Sequence, residues 1–479
     1  MTRARGRVAA LALGLAAALL APAPAHAARS LDLGVFDGVY SGAERDPWLQ
    51  RTADAGADIV RIELSWVAPN TPRPPAGFDA RDPADPAYDF SNADAAIRAA
   101  TARGMKVLAS FTGAPRWAEG SHRPADAPPG SWRPSPAALE DYGAALARRY
   151  SGHFPDPAHP GTLLPAVTAF QVWNEPNLSK YLSPQWSGRR AVAPAHYRRM
   201  LNAFYRGVKS VNRRALVVTA GTGPFGDPQP GGNRLMPARF VRDLLCLRRS
   251  GGRLRKARCA DPAHFDILAH HPYSVGAPTR SALNRDDVSI PDMGRLVRLL
   301  RVAERTGGAL GRARHRLWVT EVSYDSRGPD PDGVPLARHA RYLGEALYQL
   351  WRSGVDTVFW FQVRDQAPDP SFAATNQSGL FFRGGRPKPA LRAYRFPVVA
   401  RRSGPGKVLV WGRAPAAGTL VIERRAGSRW RVARTLHVNA RSTFLTHIRN
   451  TGSARVRARV ASEVSMATQA IHTGRSASR

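Results

Sequence analysis

A chain of 479 residues can hold two or three domains, or one large barrel with a small companion. Its formal charge of +34 is almost all arginine, with lysine only at Lys106, Lys180, Lys209, Lys256, Lys388 and Lys407. The cations are scattered and no nucleic-acid motif accompanies them, so nucleic-acid binding is not expected.

Two compatible sources of that charge remain: the codon bias of a GC-rich genome, and selection for attraction to anionic cell-wall polymers or acidic polysaccharide. At the N-terminus Arg3, Arg5 and Arg7 precede an apolar stretch, Val8 to Leu20, and a small-residue exit at Ala25-His26-Ala27. This predicts a cleaved secretory signal over 1–27 and a mature, secreted, extracellular chain from Ala28, possible cell-wall association included. No later run has the length and apolarity of a membrane span. In an exported protein the only cysteines, Cys246 and Cys259, are expected to form a disulfide around the basic loop Leu247 to Arg258. No His/Cys cluster has metal-ligand spacing, so no metal or cofactor is expected.

From residue 28 to 397 short apolar runs alternate with helical patterns, which predicts a (β/α)8 TIM barrel. The runs are Leu31 to Val39, Asp58 to Trp66, Lys106 to Thr112, Val167 to Trp173, Ala215 to Ala220, Phe265 to His271, Arg316 to Thr320 and Val355 to Phe361. Helices are predicted at Ser91 to Arg103, opened by a Ser-x-x-Asp cap, and at Ser135 to Tyr150, Ala193 to Val211 and Val334 to Ser353. Long stretches follow the second, third, fifth and eighth runs: Pro69 to Pro86, Gly113 to Pro134, Gly221 to Met236 and Arg364 to Pro389. In this architecture such loops wall the active-site face, and their length suits a groove for an extended ligand; decorative insertion is the competing reading. From 398 to 461 five strand-like segments predict a small β-sandwich, too thin to stand alone and therefore packed on the barrel. A polar tail, 462–479, is expected to be disordered. A monomer is expected.

Two carboxylates carry the chemistry. Phe170-Gln171-Val172-Trp173-Asn174-Glu175-Pro176-Asn177 leaves the fourth strand at Glu175, and Leu317-Trp318-Val319-Thr320-Glu321-Val322 leaves the seventh at Glu321. Strands four and seven lie on facing arcs of an eight-stranded ring, so both end at one rim. Glycosidic cleavage needs such a pair: one protonates the leaving oxygen, and the other attacks the anomeric carbon or activates water, according to their separation. Arg61, on an otherwise apolar strand, needs a partner; Glu321 is the first choice and Glu63 the alternative.

These motifs resemble those of clan A glycoside hydrolases, in which the acid/base glutamate follows an Asn at the end of strand four and the nucleophile ends strand seven. Trp360 and Arg386-Pro387-Lys388-Pro389-Ala390-Leu391 extend the resemblance over the barrel. Within the clan the chain is most similar to family 39-like proteins, including bacterial exopolysaccharide endoglycosidases, and next to cellulase-type family 5. The resemblance implies a retaining O-glycosyl hydrolase acting on carbohydrate, with Glu175 as acid/base and Glu321 as nucleophile. Asn174 is then expected to hydrogen-bond the sugar 2-hydroxyl. His271 and Tyr273, in His270-His271-Pro272-Tyr273, are expected to orient Glu321, one of the two histidines being a core residue. Trp360 is the candidate platform under the sugar, with core packing as its competitor, and Trp117 and Trp132 would extend it or anchor their loop. The alternative function is a noncatalytic cell-wall or exopolysaccharide-binding protein on a degenerate barrel.

Overall fold

Alternation with period two is what lets each short run line the barrel on one side and meet helices on the other. The computed structural model describes residues 30–64, 66, 70–449 and 455–470. The expected signal, 1–27, lies outside the described residues. Eight parallel strands form a closed ring: β1 (Asp32–Phe36), β2 (Ile59–Glu63), β3 (Lys106–Phe111), β4 (Ala169–Val172), β5 (Leu216–Thr219), β6 (Ile267–His270), β7 (Arg316–Val322) and β8 (Thr357–Phe361). Each falls on one of the runs read from the sequence, β7 running two residues further. Ile59, Leu108, Ala169, Val218, Ile267, Trp318 and Phe359 fill the lumen. Gly34 of β1 faces it too, where an added Cβ would stand 2.6 Å from the Phe359 ring. The intervening residues, among them Val60, Val107, Phe170, Val217, Leu317, Val319 and Trp360, belong to the larger core under the helices.

The helices are α1 (Arg45–Asp54), α2 (Ser91–Ala102), α3 (Pro136–Arg149), α4 (Ala193–Val211), α5 (Pro237–Leu244), α6 (Gly294–Thr306), α7 (Leu336–Arg352) and α8 (Pro389–Arg395). The expected cap of α2 is corrected. Ser91 is already helical, and it is Asp89 whose carboxylate accepts from the Ser91 amide (3.0 Å) and hydroxyl (2.6 Å). Asp94, the supposed capping acid, is buried against Arg149 and Tyr150, because a carboxylate paired with a guanidinium is the cheaper burial. Among the described residues no helix is long and apolar enough to cross a membrane.

Beyond the barrel two antiparallel sheets pack into a sandwich. One has the order β9 (Val398–Gly404), β10 (Lys407–Arg413), β13 (Thr443–Arg449). The other has β12 (Arg429–Val438), β11 (Gly418–Ala426), β14 (Arg455–Val460) and β15 (Glu463–Val464), with β16 (Thr468–Gln469) also on β14. The tail is therefore corrected: through Gln469 it pairs in a sheet, since Val464 and Thr468 find partners on β14, whereas 471–479 lie outside the described residues. The sandwich seats on the barrel through buried Trp411, whose ring lies 5.5 Å from Tyr348 and 5.7 Å from Trp351 of α7. Arg413 donates to the Leu31 carbonyl (3.0 Å) and to Asp58 (2.6 Å), the residues just before β1 and β2, so this contact lies at the N-terminal end of the barrel. The opposite, C-terminal end carries the strand-to-helix loops.

Candidate active site

Two backbone departures present the end of β4. Trp173 and Glu175 have φ of 77° and 33°, values that L-residues adopt only with strain. Neighbours hold them there: the Trp173 amide donates to the Phe111 carbonyl (3.1 Å) and the Glu175 amide to that of Gly221 (3.0 Å). Buried Asn177 ties this turn to the loop after β5, accepting from the Gly223 amide (2.8 Å) and donating to the Leu235 carbonyl (2.9 Å). That loop runs close to the acid: an added Cβ on Gly223 would sit 3.3 Å from Glu175 Oε1.

A β-bulge presents the second glutamate. Between β7 and β8 the register advances from Val319 opposite Val358 to Val322 opposite Trp360, so one residue is inserted. Thr320 and Glu321 can then both turn toward the mouth. Glu321 receives Arg61 Nη1 at 2.6 Å and the Tyr273 hydroxyl at 3.1 Å. Burial alone would raise its pKa, but the charges of His271 and Arg61 and the hydrogen bonds from Arg61 and Tyr273 outweigh it and hold the carboxyl below the ordinary glutamate value. Arg61 is itself fixed on every side. Its Nε donates to Ser110 Oγ (2.9 Å), its Nη2 to Asn174 Oδ1 (3.2 Å), and its guanidinium lies 4.2 Å from the centre of the Phe36 ring. Glu321, and not Glu63, is its partner. Glu63 also reaches the mouth, where burial raises its pKa against the pull of Arg61.

His271 bridges the pair. Its Nδ1 is 3.0 Å from Glu175 Oε1, and its Nε2 is 2.9 Å from Thr320 Oγ1 and 3.6 Å from Glu321 Oε1. The expectation that it orients Glu321 is thus adjusted: its direct carboxylate hydrogen bond is to Glu175. Gly221 makes the room, since an added Cβ would lie 2.1 Å from His271 Nε2. His270 is the core histidine, bonded to Thr222 (2.8 Å) and the Val288 carbonyl (2.9 Å), with burial pushing its pKa down to about 3. One oxygen from each of Glu175 and Glu321 and one nitrogen of His271 lie within 4.8 Å of one another. These three could in principle ligate a cation, but the Arg61 guanidinium already neutralises Glu321 and opposes a second positive charge.

Two aromatic expectations are corrected. Trp360 is 1% exposed, faces the helices, and donates its indole N–H to the Ser378 carbonyl (2.9 Å). The aromatic that β8 presents at the mouth is Phe361, half-buried and stacked on Phe36 at 5.3 Å. The cue was available: Phe359 points into the lumen, so Phe361 shares its side and Trp360 does not. Trp117 packs edge-on to Trp66 (6.0 Å) and Phe78 (5.8 Å), the geometry of a loop anchor. Tyr181 was not anticipated. Its hydroxyl bonds Asn174, and burial, with the charges of Glu175, Glu321 and Glu63, raises its pKa. The Cys246–Cys259 disulfide is present, in the connection between α5 and β6 and so at the other end of the barrel.

No family model matches the sequence, and no curated protein matches it. Among solved structures it is similar to a family 39 glycoside hydrolase from the gut symbiont Bacteroides cellulosilyticus, with 18% identity, a TM-score of 0.54, and coverage of 88% of this chain and 81% of that one. It is also similar to a glucosidase from Croceicoccus marinus, with 14% identity, a TM-score of 0.50, and coverage of 92% and 98%. At such identities the likeness establishes the fold. The chain has the barrel fold of clan A glycoside hydrolases, with C-terminal antiparallel sheets.

Proposed function

We propose that the protein is a secreted retaining glycoside hydrolase that cleaves O-glycosidic bonds of an oligo- or polysaccharide by double displacement. The observation that carries this reading is that one oxygen of Glu175 and one of Glu321 lie within 4.8 Å of each other, a spacing in keeping with the roughly 5 Å carboxyl separation of retaining pairs. Glu321, held ionised by Arg61, attacks the anomeric carbon while Glu175 gives its proton to the departing oxygen. The glycosyl ester on Glu321 is then cleaved by water, whose proton returns to Glu175. With Oδ1 of Asn174 committed to Arg61, its amide N–H2 is the group left to meet Tyr181 and the sugar 2-hydroxyl. Phe361 replaces Trp360 as the surface for an apolar sugar face. Export is supported by the leader-like N-terminus and the single disulfide.

The test is a polysaccharide panel, read for product length and anomeric configuration, with two variants. Glu321→Ala should lower kcat by about 10⁴-fold or more. Glu175→Ala should cripple polysaccharide cleavage yet spare aryl glycosides with good leaving groups, which need little protonation. Full activity of either variant on polysaccharide, or inverted product, refutes the reading.

A further inference from the structure

The charge of the chain is not evenly spread. Residues 28–397 carry fifty-one lysines and arginines against thirty-four acids, whereas residues 398–470 carry fourteen against two. Net positive charge per residue is therefore more than three times higher in the sandwich, and codon bias toward arginine does not explain the loss of acids there. Among the described residues four of these fourteen cations are ion-paired. Arg413 and Arg441 meet Asp58, and Arg457 and Arg459 meet Glu423.

Four of the ten remaining cations gather at one place. β12 and β13 are the edge strands of their respective sheets, and between them opens a cleft of about 640 Å³. Its walls carry Lys407, Arg424, Arg434, His447 and Arg449, with no carboxylate in the lining. Among the described residues none of the four lysine and arginine side chains has an ion-pair partner. Val432, 61% exposed, adds an apolar patch to the wall. A concave site lined by unpaired cations focuses positive potential, arginine forks match carboxylates bidentately, and edge-strand amides supply further donors.

We propose that this cleft binds a carboxylate-bearing polysaccharide, such as a polyuronate, and holds the enzyme on it. The cleft is built by the sandwich, which seats at the N-terminal end of the barrel, so it is a separate site from the catalytic mouth. The choice of a glycan among polymeric anions rests on the glycosidase reading; the anion site itself does not.

The experiment uses the full mature chain carrying Glu321→Ala, so that binding is measured without turnover. Calorimetric titration with polygalacturonate oligomers should show binding that weakens with salt, with dextran as the uncharged probe and polyphosphate as the phosphate probe. Replacing the four cations together (Lys407→Gln, Arg424→Gln, Arg434→Gln, Arg449→Gln) should weaken polygalacturonate binding by about tenfold or more. Removing four exposed barrel arginines instead (Arg213, Arg214, Arg314 and Arg338, each to Gln) should change it by less than about twofold, because screening limits their reach. Unchanged binding in the cleft variant, equal loss in the control variant, or equal affinity for dextran or polyphosphate overturns the proposal. In the otherwise wild-type enzyme the cleft substitutions should leave kcat/KM on a small aryl glycoside unchanged. A chain that hydrolyses glycosides but ignores polygalacturonate refutes this inference alone.

Discussion

Two buried arginine–carboxylate pairs sit at opposite ends of the same barrel and behave differently. At the mouth, Arg61 meets Glu321 at 2.6 Å; at the base, Arg413 meets Asp58 at 2.6 Å. Both guanidinium groups are almost fully enclosed. Yet Glu321 is held below its ordinary pKa, whereas Asp58 is raised, burial there outweighing Arg413, the Leu33 amide and Arg441, with Asp32 adding repulsion. The ion pair alone does not set the carboxylate's state. The neighbouring charges differ: at the mouth His271 and Tyr273 act with Arg61, whereas at the base Asp32 opposes Arg413 and Arg441. The mouth is organised to keep a charge available, the base to join two domains.

Breaking the base should show most in stability. Arg413→Met leaves Asp58 buried with only the more exposed Arg441 and should cost about 3–5 kcal/mol in denaturant unfolding, with kcat/KM of the folded enzyme little changed. Breaking the mouth should show in activity: Arg61→Met removes the cation beside Glu321 and the clamp on Asn174, and should lower kcat/KM by about 10²–10³-fold. It should also move the acid limb of the pH–rate profile upward, from below about 4.5, the ordinary glutamate value, as Glu321 loses its stabilising charge. An unmoved limb would mean that Arg61 serves only to pack.

The disulfide belongs to the base. Its cysteines are 13 residues apart, and Cys246→Ser with Cys259→Ser should cost about 3 kcal/mol of stability without altering the pH profile. Tyr273→Phe should be milder, losing about tenfold in kcat/KM and raising the acid limb by a fraction of the Arg61 effect. Finally the two ends should respond oppositely to acid. Glu321, lowered on folding, contributes stability that is present above 4.5 and lost as pH falls through its folded value. Asp58, raised on folding, contributes stability present below 3.8 and lost as pH rises through its folded value. Unfolding of Glu321→Gln and Asp58→Asn followed from pH 3 to 7 should therefore diverge from wild type in opposite directions; parallel curves would remove the contrast.

Much of this is legible in the amino-acid sequence. Short apolar runs alternating with helical patterns placed all eight barrel strands, because a buried parallel strand is defined by a short continuous apolar run. The lone Arg61 announced a buried partner, and the choice of Glu321 over Glu63 held. The disulfide followed from two cysteines and the expectation of export. Less legible was anything depending on which way a side chain turns at the rim. A flat indole near the end of the eighth run points to Trp360 as the sugar platform, whereas alternation from Phe359 assigns the mouth to Phe361. Trp117 was chosen for its loop, and the loop uses it for packing.

Local order along the chain was enough for the element types, the closed barrel and the two glutamates at strand ends, since hydrophobic period and motif are properties of neighbours in sequence. Three-dimensional closure decided the rest. By alternation alone Glu321 would point away from the mouth with Val319, and only the extra residue in β7, visible against β8, turns it inward. Likewise, that His271 touches Glu175 through one nitrogen and Thr320 through the other depends on β4, β6 and β7 meeting in one ring, residues 96 and 49 positions apart. No pattern within a single strand carries such a contact, because its energy resides in the distances between strands.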